Sequence, residues 1–163
     1  MLKRKSQYKR LNFLSGIQAN SGFSLIELLI VISIIGILTL LGIPLFRDFI
    51  QFSSLKSDAW KLVSDLRSYR QLAIIEHNNY SFVFDLNSDS YIIEQRNSGT
   101  NALIATVATR TLSNDITQAV DTTFMPKGQA NIAAQINIKG KNSADQVIIN
   151  VFATTGLSKM TGP

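Results

Sequence analysis

At 163 residues the chain has the size of one ordinary domain with an appendage, which excludes a large multidomain machine. Hydrophobic residues make up 45% and charged residues 17%, with a mean hydropathy of +0.14, so the composition excludes a disordered chain and points to a segment of concentrated apolar character. Cysteine is absent and His77 is the one histidine, which excludes disulfides, thiolate chemistry and paired-histidine metal sites, while a net charge of +5 raises the question of an anionic partner.

The charge is not spread along the chain. Lys3, Arg4, Lys5, Lys9 and Arg10 fall within residues 1–22, which hold no acid, and the remainder is formally neutral. An apolar run follows from Phe23 to Phe46, uncharged from Leu28 onward. A helix needs about 20 mainly apolar residues to cross the hydrocarbon of a bilayer, and this run has that length. Under the positive-inside rule the basic segment stays cytoplasmic and everything after Phe46 lies beyond the membrane, as in a periplasm. A secretory signal would have a shorter core, of about 7 to 15 residues, and an A-x-A-like exit that the stretch from Leu40 to Phe46 does not offer. A plain anchor has no use for Glu27, since a carboxylate inside a spanning helix costs about 2.5 to 3.5 kcal/mol on insertion scales.

The hexapeptide Gly22-Phe23-Ser24-Leu25-Ile26-Glu27, set between a basic leader and an apolar run, resembles the class III leader of type IV pilins and type II secretion pseudopilins. The resemblance implies cleavage between Gly22 and Phe23 by a prepilin peptidase and N-methylation of Phe23. It also implies that Glu27 serves assembly, meeting the terminal amine of a neighbouring subunit. A carboxylate in an apolar helix bundle needs such a cation to neutralise it.

Beyond Phe46 the residues Phe49, Phe52, Leu55, Ala59, Leu62, Leu66, Tyr69 and Ala73 recur at helical spacing and predict one apolar face. Lys56, Asp58, Lys61, Asp65, Arg67 and Arg70 are expected on the opposite, soluble side. Ser24 to about His77 thus reads as one helix, with a kink expected at Pro44, where a backbone donor is lost. His77 reads as a solvated or capping residue at the helix end, not as a general base.

Strand signals begin after Asn78-Asn79. Ser81–Phe84 and Tyr91–Glu94 flank a turn and predict a hairpin. Asp85, Asn87 and Asp89 alternate like the opening of a calcium loop, but the glycine and the later glutamate of that motif are missing, so turn chemistry accounts for them. Further strands are expected around Leu103–Arg110, Thr122–Met125, Ala133–Ile138 and Gln146–Phe152, with exposed loops at Asn97–Asn101 and Gly140–Asp145. The fold class is α+β: a long N-terminal transmembrane and amphipathic helix packed on an antiparallel β-sheet domain. The domains follow as 1–22 (basic leader), 23–46 (membrane and filament-core half of the helix), 47–78 (amphipathic half) and 79–163 (β-rich periplasmic domain).

Pro44–Ile50, Leu55, Leu62–Leu66 and Ala73 to Asn78, with Phe124–Gly128 and Val147–Gly156, are similar to FimT-type minor pilins and the related H pseudopilins. That resemblance implies a subunit of a type IV pilus or type II secretion pseudopilus, placed at or near the tip. Its partners would be other pilin or pseudopilin subunits, the prepilin peptidase and an inner-membrane assembly platform. No catalytic constellation, phosphate loop, metal site or cofactor site is read from the sequence, and the chain is expected not to be an enzyme. The alternative is a minor pilin that binds DNA during uptake. Lys139, Lys141 and Lys159 are the candidate contacts, and Gly156-Leu157-Ser158-Lys159 stands where that group has a basic Gly-Arg-x-Arg-like tail.

Overall fold

The expected helix forms as α1, Leu25–Glu76, in the computed structural model of the chain, which describes residues 22–141 and 143–162, with 41–45 described by backbone alone. Of the expected leader 1–22, residues 1–21 lie outside the described residues, as does the side chain of Pro44 and with it the expected kink. The chain divides into two units, Met1–Leu40 and Leu41–Pro163.

In the second unit the helix supplies one wall of the core. Leu55, Ala59, Leu62, Val63, Leu66 and Ala73 are buried there. Their spacing of three and four residues puts them on one stripe. The stripe begins later than expected. Phe49 is exposed and Phe52 is half-buried, its ring lying under the Lys56 ammonium at 4.3 Å.

Eight antiparallel strands face this stripe in two sheets. They are β1 (Asn79–Asp85), β2 (Ser90–Arg96), β3 (Leu103–Thr111), β4 (Asp115–Gln118), β5 (Thr122–Phe124), β6 (Ala134–Lys139), β7 (Gln146–Val151) and β8 (Ser158–Thr161). The first sheet has the order β3-β2-β1-β5 and the second β4-β6-β7-β8. The α+β reading therefore holds, with two sheets where one was expected. The β1–β2 hairpin pairs in unbroken register from Asn79↔Arg96 to Asp85↔Ser90. Period-2 alternation sends Tyr80, Phe82, Tyr91 and Ile93 inward from the first sheet, and Ile136, Ile138, Val147, Ile149 and Val151 inward from the second. Phe82 sits at the centre of an aromatic group, with ring centroids 5.9 Å from Phe124 and 6.0 Å from both Tyr69 and Tyr91.

Two strands had no legible signal. β4 carries one apolar residue, Ile116, and β8 one, Met160, so neither shows alternation. Both are edges of the second sheet, completed by pairing with β6 and β7.

The glycines of the two late motifs meet over the helix. Arg70 Nε donates to the Gly128 carbonyl at 2.9 Å, and the Phe152–Leu157 turn closes against the same place. Gly156 has φ +61°, and a Cβ there would lie 2.1 Å from the Gly128 carbonyl oxygen and 2.9 Å from Arg70 Nε. Only glycine fits this approach. Gly156→Ala is expected to destabilise the β-rich unit by about 3 kcal/mol or more and to lower its thermal midpoint by roughly 10 °C. Gly99→Ala, whose Cβ would meet only Asn97 Oδ1 at 3.5 Å, is expected to leave it nearly unchanged in the same melting experiment.

Candidate assembly segment and its anchor

Gly22, Phe23 and Ser24 lead into α1, where the Leu28 amide donates to the Ser24 carbonyl at 3.1 Å and starts the helical ladder. Glu27 stands in the first turn, where the unsatisfied amides favour a negative charge. It is exposed, and among the described residues no cation lies in ion-pair range of it. Phe23 is 83% exposed.

From Leu25 to Leu40 every side chain is exposed, most of them large and aliphatic. The hydroxyls in this stretch turn back on the helix: Ser33 Oγ donates to the Leu29 carbonyl and Thr39 Oγ1 to the Ile35 carbonyl, both at 2.7 Å. Such back-bonding satisfies a polar group without help from solvent. What remains is an apolar cylinder with one carboxylate at its start. Among the described residues no helix is long and apolar enough to cross a membrane. Leu25 to Leu40 extends roughly 24 Å at 1.5 Å per residue, against about 30 Å of hydrocarbon. The expected span of 23–46 runs on through 41–45, whose side chains lie outside the described residues.

At the other end, α1 is fixed by charges expected in solvent. Asp58 is 2% exposed, which corrects its assignment to the soluble side. Its Oδ2 accepts the Ser113 amide at 2.8 Å, the Asn114 amide at 3.1 Å and Asn114 Nδ2 at 2.9 Å. Those residues lie where the chain leaves β3 in the first sheet and enters β4 in the second. Asp89, at the β1–β2 turn, holds the same crossing by accepting the Ile116 amide at 2.9 Å, and Asp121 Oδ1 accepts the Phe84 amide at 2.9 Å where the chain returns to the first sheet. Carboxylates thus pin the first two of the three passages between the sheets.

Asp65 and Arg67 are likewise engaged. Asp65 Oδ2 accepts the Tyr91 hydroxyl at 2.9 Å and Arg110 Nε at 3.4 Å, while Arg67 Nη2 donates to the Ser158 carbonyl at 3.2 Å. Burial, reinforced by the Asp65 charge, pushes the Tyr91 phenol above its ordinary range. The signal for Asp58 and Asp65 was present in the sequence. Leu55, Asp58, Leu62, Asp65 and Tyr69 are spaced by three and four, so both carboxylates lie on the core stripe.

The remaining candidates fall in their own places. His77, with φ 57°, ends the helix and its Nδ1–H donates to the Ile74 carbonyl at 2.8 Å, a C-terminal cap. Asp85 binds its own turn, where the Ser88 hydroxyl and the Asn87 amide hold its carboxyl below the usual carboxylate range. Lys139 and Lys159 lie on the outer face of the second sheet, and Lys141 follows in the β6–β7 loop. Lys139 pairs with Gln146 at one end of β7 and Lys159 with Asn150 towards the other, on strands either side of it, which sets their backbones roughly 17 Å apart. All three lysines are exposed.

Residues 17–43 match the model of the prokaryotic N-terminal methylation motif. In fold, the chain is similar to the minor pseudopilin EpsH from the type 2 secretion system of Vibrio cholerae, with a TM-score of 0.53 over 68% of this chain and 98% of that one, at 14% identity. The chain thus joins an N-terminal methylation motif to a fold similar to that of a minor pseudopilin. No curated protein matches it by sequence. The motif match covers the exposed start of the helix and the fold match most of the chain, so the two findings rest on different features. The fold depends on the helix staying attached to both sheets, and Asp58 holds it to the passage between β3 and β4. Asp58→Ala leaves three donors without an acceptor and is expected to cost about 3 kcal/mol. In hydrogen exchange the amides of Ser113 and Asn114 would lose protection first.

Proposed function

We propose that this chain is a minor pilin or pseudopilin subunit whose work is assembly and not catalysis. In this reading a prepilin peptidase cuts between Gly22 and Phe23 and Phe23 is methylated. Residues 23–46 hold the subunit in the inner membrane, with the N-terminus cytoplasmic and the β-rich domain of 79–163 periplasmic. The subunit then leaves the bilayer for a type IV pilus or type II secretion pseudopilus, at or near its tip, through contacts with other subunits and an assembly platform.

The single observation that carries the reading is the apolar cylinder from Leu25 to Leu40, exposed on every side and headed by the methylation motif. Such a surface is stable only where lipid or other apolar helices cover it. Both covers are used in turn by a subunit that is stored in a membrane and then built into a helical bundle. The carboxylate of Glu27 gives the bundle its register, since it is tolerated in an apolar interior only beside a cation such as the amine of Phe23 from a neighbour. The hydroxyls of Ser33 and Thr39 are already satisfied along the helix and demand nothing of either environment. The likeness of fold to a minor pseudopilin supports a minor subunit over a bulk one.

The mass of the mature protein tests the processing step. Membrane-associated protein produced beside a prepilin peptidase is expected to begin at N-methylated Phe23. Protein that begins at Met1 and retains the basic leader would overturn the assignment.

A further inference from the structure

Four sheet edges are available in the β-rich unit, and three of them are closed or short. The outer side of β5 is covered by its own following loop, with the Asn131 amide donating to the Thr123 carbonyl and the Thr123 amide to Asn131 Oδ1, both at 2.9 Å. β4 and β8 have 4 residues each. β3 is different. It runs for 9 residues, Leu103–Thr111, contains no proline, glycine or lysine, and is exposed along nearly its whole length, Leu103, Ile104 and Val107 included. Natural edges of this length are ordinarily blunted by such residues or covered, because a row of unpaired amides and carbonyls is a template for another strand. Here the helix covers β1 and β2 and leaves β3 bare.

The part of β3 nearest the helix is also the most regular. Thr111, Arg110, Thr109 and Ala108 pair in order with Ser90 to Ile93, and the irregularities of register come only beyond Ile93. Alongside this regular stretch lies a cleft of about 570 Å³ between β3 and α1, lined by Trp60, Lys61, Asp65, Tyr91, Arg110 and Leu112 among others. Trp60 is 52% exposed although it is the most apolar surface in the cleft. The four charges at the cleft balance, but the exposed hydrogen-bond donors are the cationic ones. Asp65 already accepts from Tyr91 and Arg110, and the buried Asp58 accepts three N–H groups on Oδ2 and pairs through Oδ1 with Lys61 Nζ at 3.5 Å. The Lys61 and Arg110 side chains, by contrast, are 65% and 53% exposed and keep donors to spare.

An unpaired regular edge beside a side-chain cleft is the arrangement by which folded domains take an extended peptide as an added strand, main chain giving affinity and the cleft giving selectivity. We propose that the groove between β3 and α1 accepts an extended acidic segment of another protein, which pairs along Ala108–Thr111, packs an apolar side chain on Trp60 and directs a carboxylate to Lys61 and Arg110. This goes beyond the assembly reading and does not depend on it, because every residue named lies in the β-rich unit and its adjoining helix and none in the N-terminal motif.

Trp60 is the only tryptophan of the chain and reports on the groove directly. The full-length protein in detergent micelles would be titrated with the blocked peptide acetyl-TEVEVT-amide while tryptophan emission is followed. A saturable blue shift is expected, with affinity at least ~10-fold weaker for the lysine counterpart acetyl-TKVKVT-amide and for Lys61→Gln or Arg110→Gln protein. N-methylation of the glutamate nitrogens in one peptide, or of the valine nitrogens in another, blocks opposite edges of the added strand. One of the two is expected to abolish the shift and the other to spare it. Lys61→Gln keeps the test sound should Arg110→Gln fail to fold, since Lys61 is exposed. No shift with the acidic peptide would overturn the proposal, as would equal responses to all four peptides. Emission that changes with protein concentration alone, together with self-association in sedimentation, would show a second copy seated on β3 and would overturn it too.

Discussion

The carboxylate of Asp58 is the point at which helix, first sheet and second sheet become one body. It is buried at 2% exposure on the helix's core stripe, and it receives two backbone amides and a side-chain amide from the residues that carry the chain from β3 to β4. A charge so placed is costly unless its lone pairs are filled, and here the donors come from the first passage between the sheets. Asp89 and Asp121 do the same work at the turn and at the return crossing. The apolar contacts of Leu55, Leu62, Leu66, Phe82 and Ile149 supply the larger share of burial. The carboxylates select which way the chain threads between them.

The firm attachment at one end gives meaning to the bare helix at the other. Leu25 to Leu40 shows no partner stripe and no polar face, because apolar residues occur all round the helix and not at the three- and four-residue spacing seen after Leu55. A helix that is hydrophobic all round belongs in an apolar surrounding, and Glu27 at its head restricts which surrounding will serve. Lipid alone leaves the carboxylate uncompensated; a neighbouring subunit that brings an amine does not. The net charge of +5 fits the same division, since all of it lies ahead of Phe23.

Much of this was legible in the residues. The apolar run, the leader motif and the three-and-four spacing fixed the existence and extent of α1 to within a residue at each end, and alternation located β1, β2, β3, β5, β6 and β7. β4 and β8 escaped because each is a short edge with one apolar side chain, so their strand character comes from pairing and not from pattern. Asp58 escaped for a different reason. Charge was taken as a mark of exposure, whereas its place between Leu55 and Leu62 set it on the buried stripe. The open groove beside β3 could not be read at all, because exposure of an edge is a property of sheet order, which adjoining residues do not encode.

The central claim is that the exposed apolar helix exists to be covered by other subunits and that Glu27 sets how it is covered. Incorporation of Glu27→Ala protein into filaments or pseudopili, measured beside wild type in cells with equal amounts of correctly cut and methylated subunit, tests this most directly. The account requires that the variant be processed at Phe23, remain in the membrane and be nearly absent from assembled structures. Incorporation at the wild-type level would contradict it.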